Sequence, residues 1–553
     1  MNLSYLYPML RFDTLSISVS VACLFFSLLI GLYSFKFLKG KVNLFSYYIN
    51  FILTALVCCL AVLANNLILL LVCWGFLGLT LYMLIYTYRT DKSSVTAKKT
   101  LIIVGASDSI MILGVSLVFY LAGTFQMDRI QIPLGSLEGI LPTFAYISLA
   151  IACFTKAGAM PFHTWIVDCA SDAPVSVNAY LPAALDKLLG IYFLFRISTS
   201  LFVMSEGMNT FLMALGSFTI IAAVMMALVQ HDLKRLLGYH AVSQVGYMIL
   251  GIGTGSAVGI AGGLFHMLNN TIYKSSLFLC AGNVEEKTGI SDLDRLGGLR
   301  RFMPFTFVAC LIASLSISGV PPFNGFFSKW MIYQGIIGLG SAGYKWWVIW
   351  LAAAMFGSSL TLASFMKILH TVFLGTMSKE LKKLKLSEAS WILVLPALIL
   401  AFLCLLFGVF AKELPLRLFL TPVVGDISII GNWSPLQATI LILVAMLAGL
   451  IIFYLWNFRA LIRQDQEAFI GGEVIPSQSH LSGVDFYNSI KELPLINGIY
   501  KKAEQKWFDI YELLRRFTFS ASGVLQHLHN GILPTYTVWC LLGMIALFLA
   551  FVR

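Results

Sequence analysis

The sequence predicts an all-α polytopic membrane protein: about 14 transmembrane helices, two of them broken and placed in inverted repeats, plus an amphipathic lateral helix near the C-terminus. Of 553 residues, 59% are hydrophobic and only 11% charged, a balance foreign to soluble globular domains. Apolar runs of about 20 residues recur along almost the whole chain, and helices are how such runs satisfy their backbone in lipid. Two of the runs are interrupted by proline and glycine beside a lysine, in KAGAMPFHTW after Lys156 and in SGVPPFNGFFSKW before Lys329.

The predicted spans are 14–37, 44–63, 66–88, 98–122, 139–165 (interrupted), 175–203, 208–229, 235–254, 257–283, 302–338 (interrupted), 345–375, 389–411, 435–456 and 536–552. Basic residues follow odd-numbered spans: Lys36, Lys39 and Lys41; Arg89, Lys92, Lys98 and Lys99; Lys234 and Arg235; Arg295, Arg300 and Arg301. Positive-inside topology therefore accounts for the net charge of +11, and a nucleic-acid partner is not indicated. The same rule puts the N-terminus outside and the 379–388 and 457–535 segments on the cytoplasmic side. The ten cysteines form no CxxC pair and read as small apolar filler, so no metal site is expected.

Proline and glycine at membrane depth free backbone groups that line polar paths, and two such breaks five spans apart point to repeats of opposite topology. The organisation read from this is a bundle over 1–456 with repeats at about 66–203 and 208–375, a loop and lateral helix over 457–535, and a final span at 536–553. Within 457–535, FIGGE at 469–473, Pro476 and Pro494 punctuate a polar stretch. Ile496, Ile499, Tyr500, Trp507, Ile510, Tyr511, Leu514 and Phe517 then recur at helical steps between basic residues. A continuous helix of roughly 30 residues, about 45 Å long, is predicted there.

The stretch 265–279, FHMLNNTIYKSSLFL, carries the chemistry: His266, Asn270 and Lys274 at four-residue steps form one drifting polar stripe. Ionisable groups at predicted membrane depth also include Asp108, Lys156, Asp186, Lys187, His240, Lys329 and Lys367. Each is costly there and is a functional candidate for that reason. Lysines stripped of water and separated by histidine can pass protons and be switched by a moving counter-charge. No nucleophile–base arrangement, metal cluster or phosphate loop accompanies them, so no catalytic residue is assigned and chemistry on a substrate is not expected in this chain.

At KAGAMPFHTWIVDCASDAPVS (156–176), HDLKRLLGYHAVSQVGYM (231–248), FHMLNNTIYKSSLFLCAG (265–282) and PPFNGFFSK (321–329) the chain resembles the antiporter-like subunits of respiratory complex I, membrane-bound hydrogenases and Mrp-type antiporters. The amphipathic segment and LQHLHNGILPTYTVW (525–539) resemble the tail of the subunit with a long lateral helix. The resemblance implies inverted repeats, broken helices, a central hydrophilic proton axis and a place in a larger complex. By it, Lys156 matches the lysine beside the first break, His266 and Lys274 the second-repeat pair, and Lys329 the lysine near the outer end. His163 and Asp168 match the family's PxHxW…D pattern, with packing and proton handling both open. His240 stands where a small hydroxyl residue is usual, and a structural role stays open there too.

Departures from the pattern are specific. The glutamate expected after the tryptophan of NLILLLVCWGFLGL is Gly75, Pro182 replaces a frequent histidine, and Lys187 is offset by one residue with Asp186 beside it. Asn270 replaces a histidine, and FDTLS at 12–16 normally follows two further helices that the chain is expected to lack. Asp186 or Asp108 is therefore expected to supply the missing negative charge to Lys156 or Lys187.

The function read from these residues is proton translocation by one subunit of a multisubunit redox-driven pump in a bacterial or archaeal cytoplasmic membrane. Iron–sulfur or other redox cofactors are expected in partner chains and none in this one. The implied partners are other membrane and soluble subunits, the lipid bilayer, protons and Na⁺. The alternatives are one component of an Mrp-type Na⁺/H⁺ antiporter and a membrane module anchoring a soluble enzyme such as a carbon-uptake system.

Overall fold

The computed structural model describes residues 9–135, 140–429, 431, 434–455, 484 and 487–551. FIGGE, Pro476 and most of the polar stretch predicted ahead of the lateral helix lie outside them. The chain divides into two compact units, residues 1–491 and 492–553.

The first unit is helical nearly throughout. Helix α1 (Thr14–Phe37) starts at a capping box in which Asp13 accepts the Ser16 N–H at 2.9 Å. Helices α2 (Leu44–Leu63) and α3 (Leu67–Ile85) start at Asn43 and Asn66, whose amide oxygens take the first free N–H groups. Helix α4 runs Asp91–Ala122 behind Thr90, so Lys92, Lys98 and Lys99 lie in its opening turns and not in a connection. That corrects the loop assignment: Lys99 is buried and paired at 2.7 Å with Asp168, which ties α4 to the fifth span.

The first interrupted span resolves into α5 (Leu141–Ala157) and α6 (Thr164–Asp172). Gly158 ends α5 at φ +84°, a left-handed conformation that glycine adopts without strain. The second resolves into α12 (Pro304–Ser318) and α13 (Asn324–Ser341), with Gly319 at φ +82°. The span predicted as one helix over 175–203 is instead α7 (Val175–Tyr180), a wide turn, and α8 (Asp186–Arg196). Pro182 causes the wide turn: it has no N–H to donate, and the Asp186 N–H reaches back five residues to the Leu181 carbonyl.

The remaining helices are α9 (Glu206–Leu228), α10 (Leu233–Gly253), α11 (Ala257–Thr288), α14 (Trp347–Ile368), α15 (Trp391–Val409), the short α16 (Thr421–Val424) and α17 (Pro435–Leu455). Among the described residues, nine helices are long and apolar enough to cross a membrane. Helices α10 and α11 are long enough but not among the nine, because their polar residues lower the hydropathy.

Two ends of the first unit are defined by contacts among helix ends and connections. At one end Lys41 pairs with Glu286, Lys234 with Glu285 at 3.1 Å and Arg295 with Glu380 at 2.6 Å. At the other, residues 132–133 pair in parallel with 202–203, and Leu10 bridges to Ala64 and Asn66 to Gln126. Helix α11 is held from both sides of the bundle. Its Ser275 donates to the Ala179 carbonyl at 3.0 Å, and its Asn269 side chain donates to the Asn324 backbone carbonyl at 2.9 Å and accepts from the Asn324 side-chain amide at 2.8 Å.

In the second unit, the continuous 30-residue helix gives way to α18 (Pro494–Glu504) and α19 (Ile510–Leu528). Lys506 adopts φ +60° between them, and Asp509 restarts the helix by accepting the Tyr511 N–H at 3.1 Å. Arg516 reinforces the bend, with its guanidinium 5.3 Å from the Trp507 ring. Helix α20 (Leu533–Phe551) follows.

Candidate functional site

The first group of ionisable residues gathers at the open end of α5. Asp186, at the start of α8, lies 3.6 Å from the Lys156 ammonium, while its neighbour Lys187 donates to the Ala157 carbonyl at 2.9 Å. Adjacent helical residues point about 100° apart, which lets one dipeptide reach a side chain and a backbone end at once. Gly190 allows the approach, since a Cβ there would sit 2.8 Å from the Ala157 nitrogen. The Trp74 ring lies 5.7 Å from Lys156. Both lysines are fully buried, and a buried ammonium needs this kind of compensation.

Gly75 lies away from this group. It is exposed on the bundle exterior, and a side chain there would meet nothing within 4 Å. A glycine at 75 thus leaves no gap beside Lys156. Asp108 on α4 lies against Gly78, one turn further along α3, and its Oδ1 is buried without a hydrogen-bond partner.

The second group lies among α10, α11, α13 and α14. His266 is saturated: Nδ1 is 2.9 Å from Ser328 Oγ, and Nε2 is 3.1 Å from Gln244 Oε1 and 3.3 Å from the Tyr273 hydroxyl. Lys329 donates at 2.8 Å to both the Ile317 carbonyl, at the open end of α12, and Ser358. The Tyr247 ring lies 4.6 Å beneath its ammonium. His240 Nε2 is 2.7 Å from Ser364 Oγ. Lys274 has no hydrogen-bond partner and sits 5.7 Å from each of the Phe278 and Phe365 rings.

Unpartnered buried polar atoms concentrate on two helices. Besides Asp108 Oδ1, Asp186 Oδ2 and the Lys156 ammonium in the first group, they include His240 Nδ1, Ser243 Oγ and Gln244 Nε2 on α10, and both amide atoms of Asn270, the Lys274 ammonium, Asn283 Oδ1 and Glu285 Oε2 on α11. Buried groups of this kind are satisfied by water when the site is polar. Among the described residues no group of three or more His, Cys, Asp or Glu is arranged to hold a metal ion.

A model of the NADH:quinone oxidoreductase/Mrp antiporter transmembrane family matches residues 64–361, just over half of the chain. The chain belongs to that family. Relatives in it include a Na⁺/H⁺ antiporter component, designated A1, of Staphylococcus haemolyticus, 30% identical over 420 residues, covering 72% of this chain and 52% of the relative. The Na⁺/H⁺ antiporter component designated A in Bacillus subtilis strain 168 is 31% identical over 393 residues, covering 67% and 48%. The chain therefore spans about half the length of the curated relatives it matches. Among solved structures, a chain of the Mrp complex from Dietzia sp. DQ12-45-1b superposes with TM-score 0.68 at 22% identity, covering 75% of this chain and 83% of that one. A chain of the membrane-bound sulfane sulfur reductase, an archaeal respiratory membrane complex, superposes with TM-score 0.79 at 22% identity, covering 98% and 89%. These likenesses show the antiporter-like membrane fold.

Reasoning from sequence missed Gln244, Ser328, Ser358, Ser364 and Tyr247. Gln244 had a usable signal, standing four residues after His240 and so on the same face of α10. The serines had none, because lone hydroxyls in apolar helices usually bond their own backbone.

Proposed function

We propose that this member of the family conducts protons through the bundle as the antiporter-like subunit of a multisubunit membrane complex. The route runs from Lys156, Asp186 and Lys187, with Asp108 beside them, past Lys274 and His240 to His266 and Lys329. One observation carries this reading: buried polar atoms without protein partners recur along α10 and α11, and a lysine bonds a backbone carbonyl at each helix break. Such atoms are the lining of a hydrated path. The two breaks are the centres of inverted repeats over about 66–203 and 208–375, within some 14 membrane crossings. The face carrying Lys41, Lys234 and Arg295 is cytoplasmic, by the excess of basic residues there.

The relatives at 30–31% identity are named as parts of Na⁺/H⁺ antiporters, which favours sodium exchange as the output of the complex. The near full-length likeness to a chain of a respiratory complex favours a redox-driven pump with its redox cofactors in other chains. Sodium uptake and acidification measured in one set of vesicles, with and without an electron donor, separate the two. Lys156→Ala, Lys274→Ala and Lys329→Ala, assayed with native partners for pH-gradient formation, test conduction itself. Each is expected to lower the rate at least about tenfold, the equivalent of about 1.4 kcal/mol on the transfer barrier. Unchanged rates in all three would overturn the lysine route.

A further inference from the structure

Lys367, near the end of α14, is buried and has no role in the route above. It donates at 2.7 Å to the Leu228 carbonyl and at 2.9 Å to the Gln230 carbonyl, the end of α9 and the connection after it. Three residues earlier on the same helix, and so on the same face, Ser364 holds His240. The Phe365 ring lies between: 4.7 Å from the His240 ring and 5.7 Å from the Lys274 ammonium.

In the other direction the groups lead to water. The residue after Gln230 is His231, half exposed, with Nδ1 2.8 Å from Asp294 Oδ2. The connection that carries it is fixed to the one after α11: Leu293 N–H bonds the His231 carbonyl at 2.8 Å, and Ser291 Oγ bonds Asp232 Oδ2 at 2.5 Å. Between the end bearing Lys234 and Arg295 and the middle of the bundle thus lie, in order, the His231–Asp294 pair, Lys367, the Ser364–His240 pair and Lys274. Each of these side chains can donate or accept a proton, and the Phe365 ring stands between His240 and Lys274.

We propose that Lys367 is a proton-relay residue that admits protons from this basic face into the second group, with His231 and Asp294 as the surface collector and His240 handing over to Lys274. The inference rests on the conduction reading. A lysine on helix-terminal carbonyls has a simpler role as a C-terminal cap. Arginine separates the two: it keeps the charge and the donors but does not release its proton.

Lys367→Arg and Lys367→Met, in the full chain with native partners in vesicles, are both expected to lower proton uptake from the basic face about tenfold or more. A wild-type rate in Lys367→Arg reduces Lys367 to a cap and overturns the relay. Ser364→Ala leaves Lys367 and its carbonyl bonds in place and serves where a Lys367 variant fails to assemble. It is expected to slow uptake severalfold, and a wild-type rate overturns the route through His240. His231→Gln is expected to slow uptake about threefold in dilute buffer and to recover as buffer concentration rises, because mobile buffer replaces a surface collector. A loss that buffer does not relieve, or no loss at all, overturns the collector. If Lys274→Ala and Lys329→Ala also conduct normally, the conduction reading fails. If those two are inactive while Lys367→Arg is normal, only the intake branch fails.

Discussion

The two helix breaks share a frame and differ in their charges. Ala157–Gly158 and Ser318–Gly319 end their half-helices alike, each with a left-handed glycine, and each open end receives a lysine from a later helix, Lys187 or Lys329. At the first break the residue before Ala157 is Lys156, and it has a carboxylate, Asp186. At the second the corresponding residue is Ile317, which offers only its carbonyl, and the remaining lysine, Lys274, has no acid beside it. The first group holds an acid, whose ionised form favours an ammonium. The second holds amides, hydroxyls and imidazoles, so nothing there pins a proton in place.

Breaking the carboxylate pair has the largest expected effect. Asp186→Asn leaves a buried cation alone and is expected to cost about 3–5 kcal/mol of stability, read as a lowered unfolding midpoint of the purified protein. A change below about 1 kcal/mol would mean that the pair does not hold Lys156. Next, Asn270→Asp places a carboxylate one turn from Lys274 and makes the second group resemble the first. Proton flux is expected to fall about tenfold as the lysine becomes a trap. Unaltered flux would show that the difference between the groups is not what sets conduction. The smallest effect lies outside both. Burial raises the Asp13 carboxyl, but hydrogen bonds from Arg196 and Ser16 outweigh it and hold it at about 2. Its stabilisation is therefore present above the ordinary carboxylate range and lost as pH falls from about 4 through about 2. With the side chain 30% exposed, about 1–2 kcal/mol is expected after screening. Asp13→Asn should remove it and flatten thermal stability over that pH window.

Much of this is legible in the sequence alone. Proline and glycine beside Lys156 and Lys329 mark both breaks, and the four-residue spacing of His266, Asn270 and Lys274 marks the stripe, because both follow from local backbone rules. The need for an acid near Lys156 is also readable, though its distance is not. What escapes depends on contacts remote in sequence. Lys99 reads as a loop charge until Asp168 is brought to it, and Lys367 reads as an isolated lysine until the end of α9 is brought beneath it. The bend at Lys506 escapes because apolar periodicity continues across it, and only Asp509 hints at a restart. Gly75 reads as a lost partner until its direction is known, and that depends on how α3 is rotated against its neighbours.

The severed ends of α5 and α12 add something to the lysines that meet them. A helix end presents a constant partial negative charge and lone pairs with no affinity for a proton at physiological pH. A carboxylate partner can take the proton it attracts; a carbonyl partner cannot. Lys187 and Lys329 therefore rest against fixed electrodes, and their occupancy is left to water access and to neighbouring charge. On the proposed proton route, cutting a helix is in this sense a way to place a counter-charge that never competes for the proton.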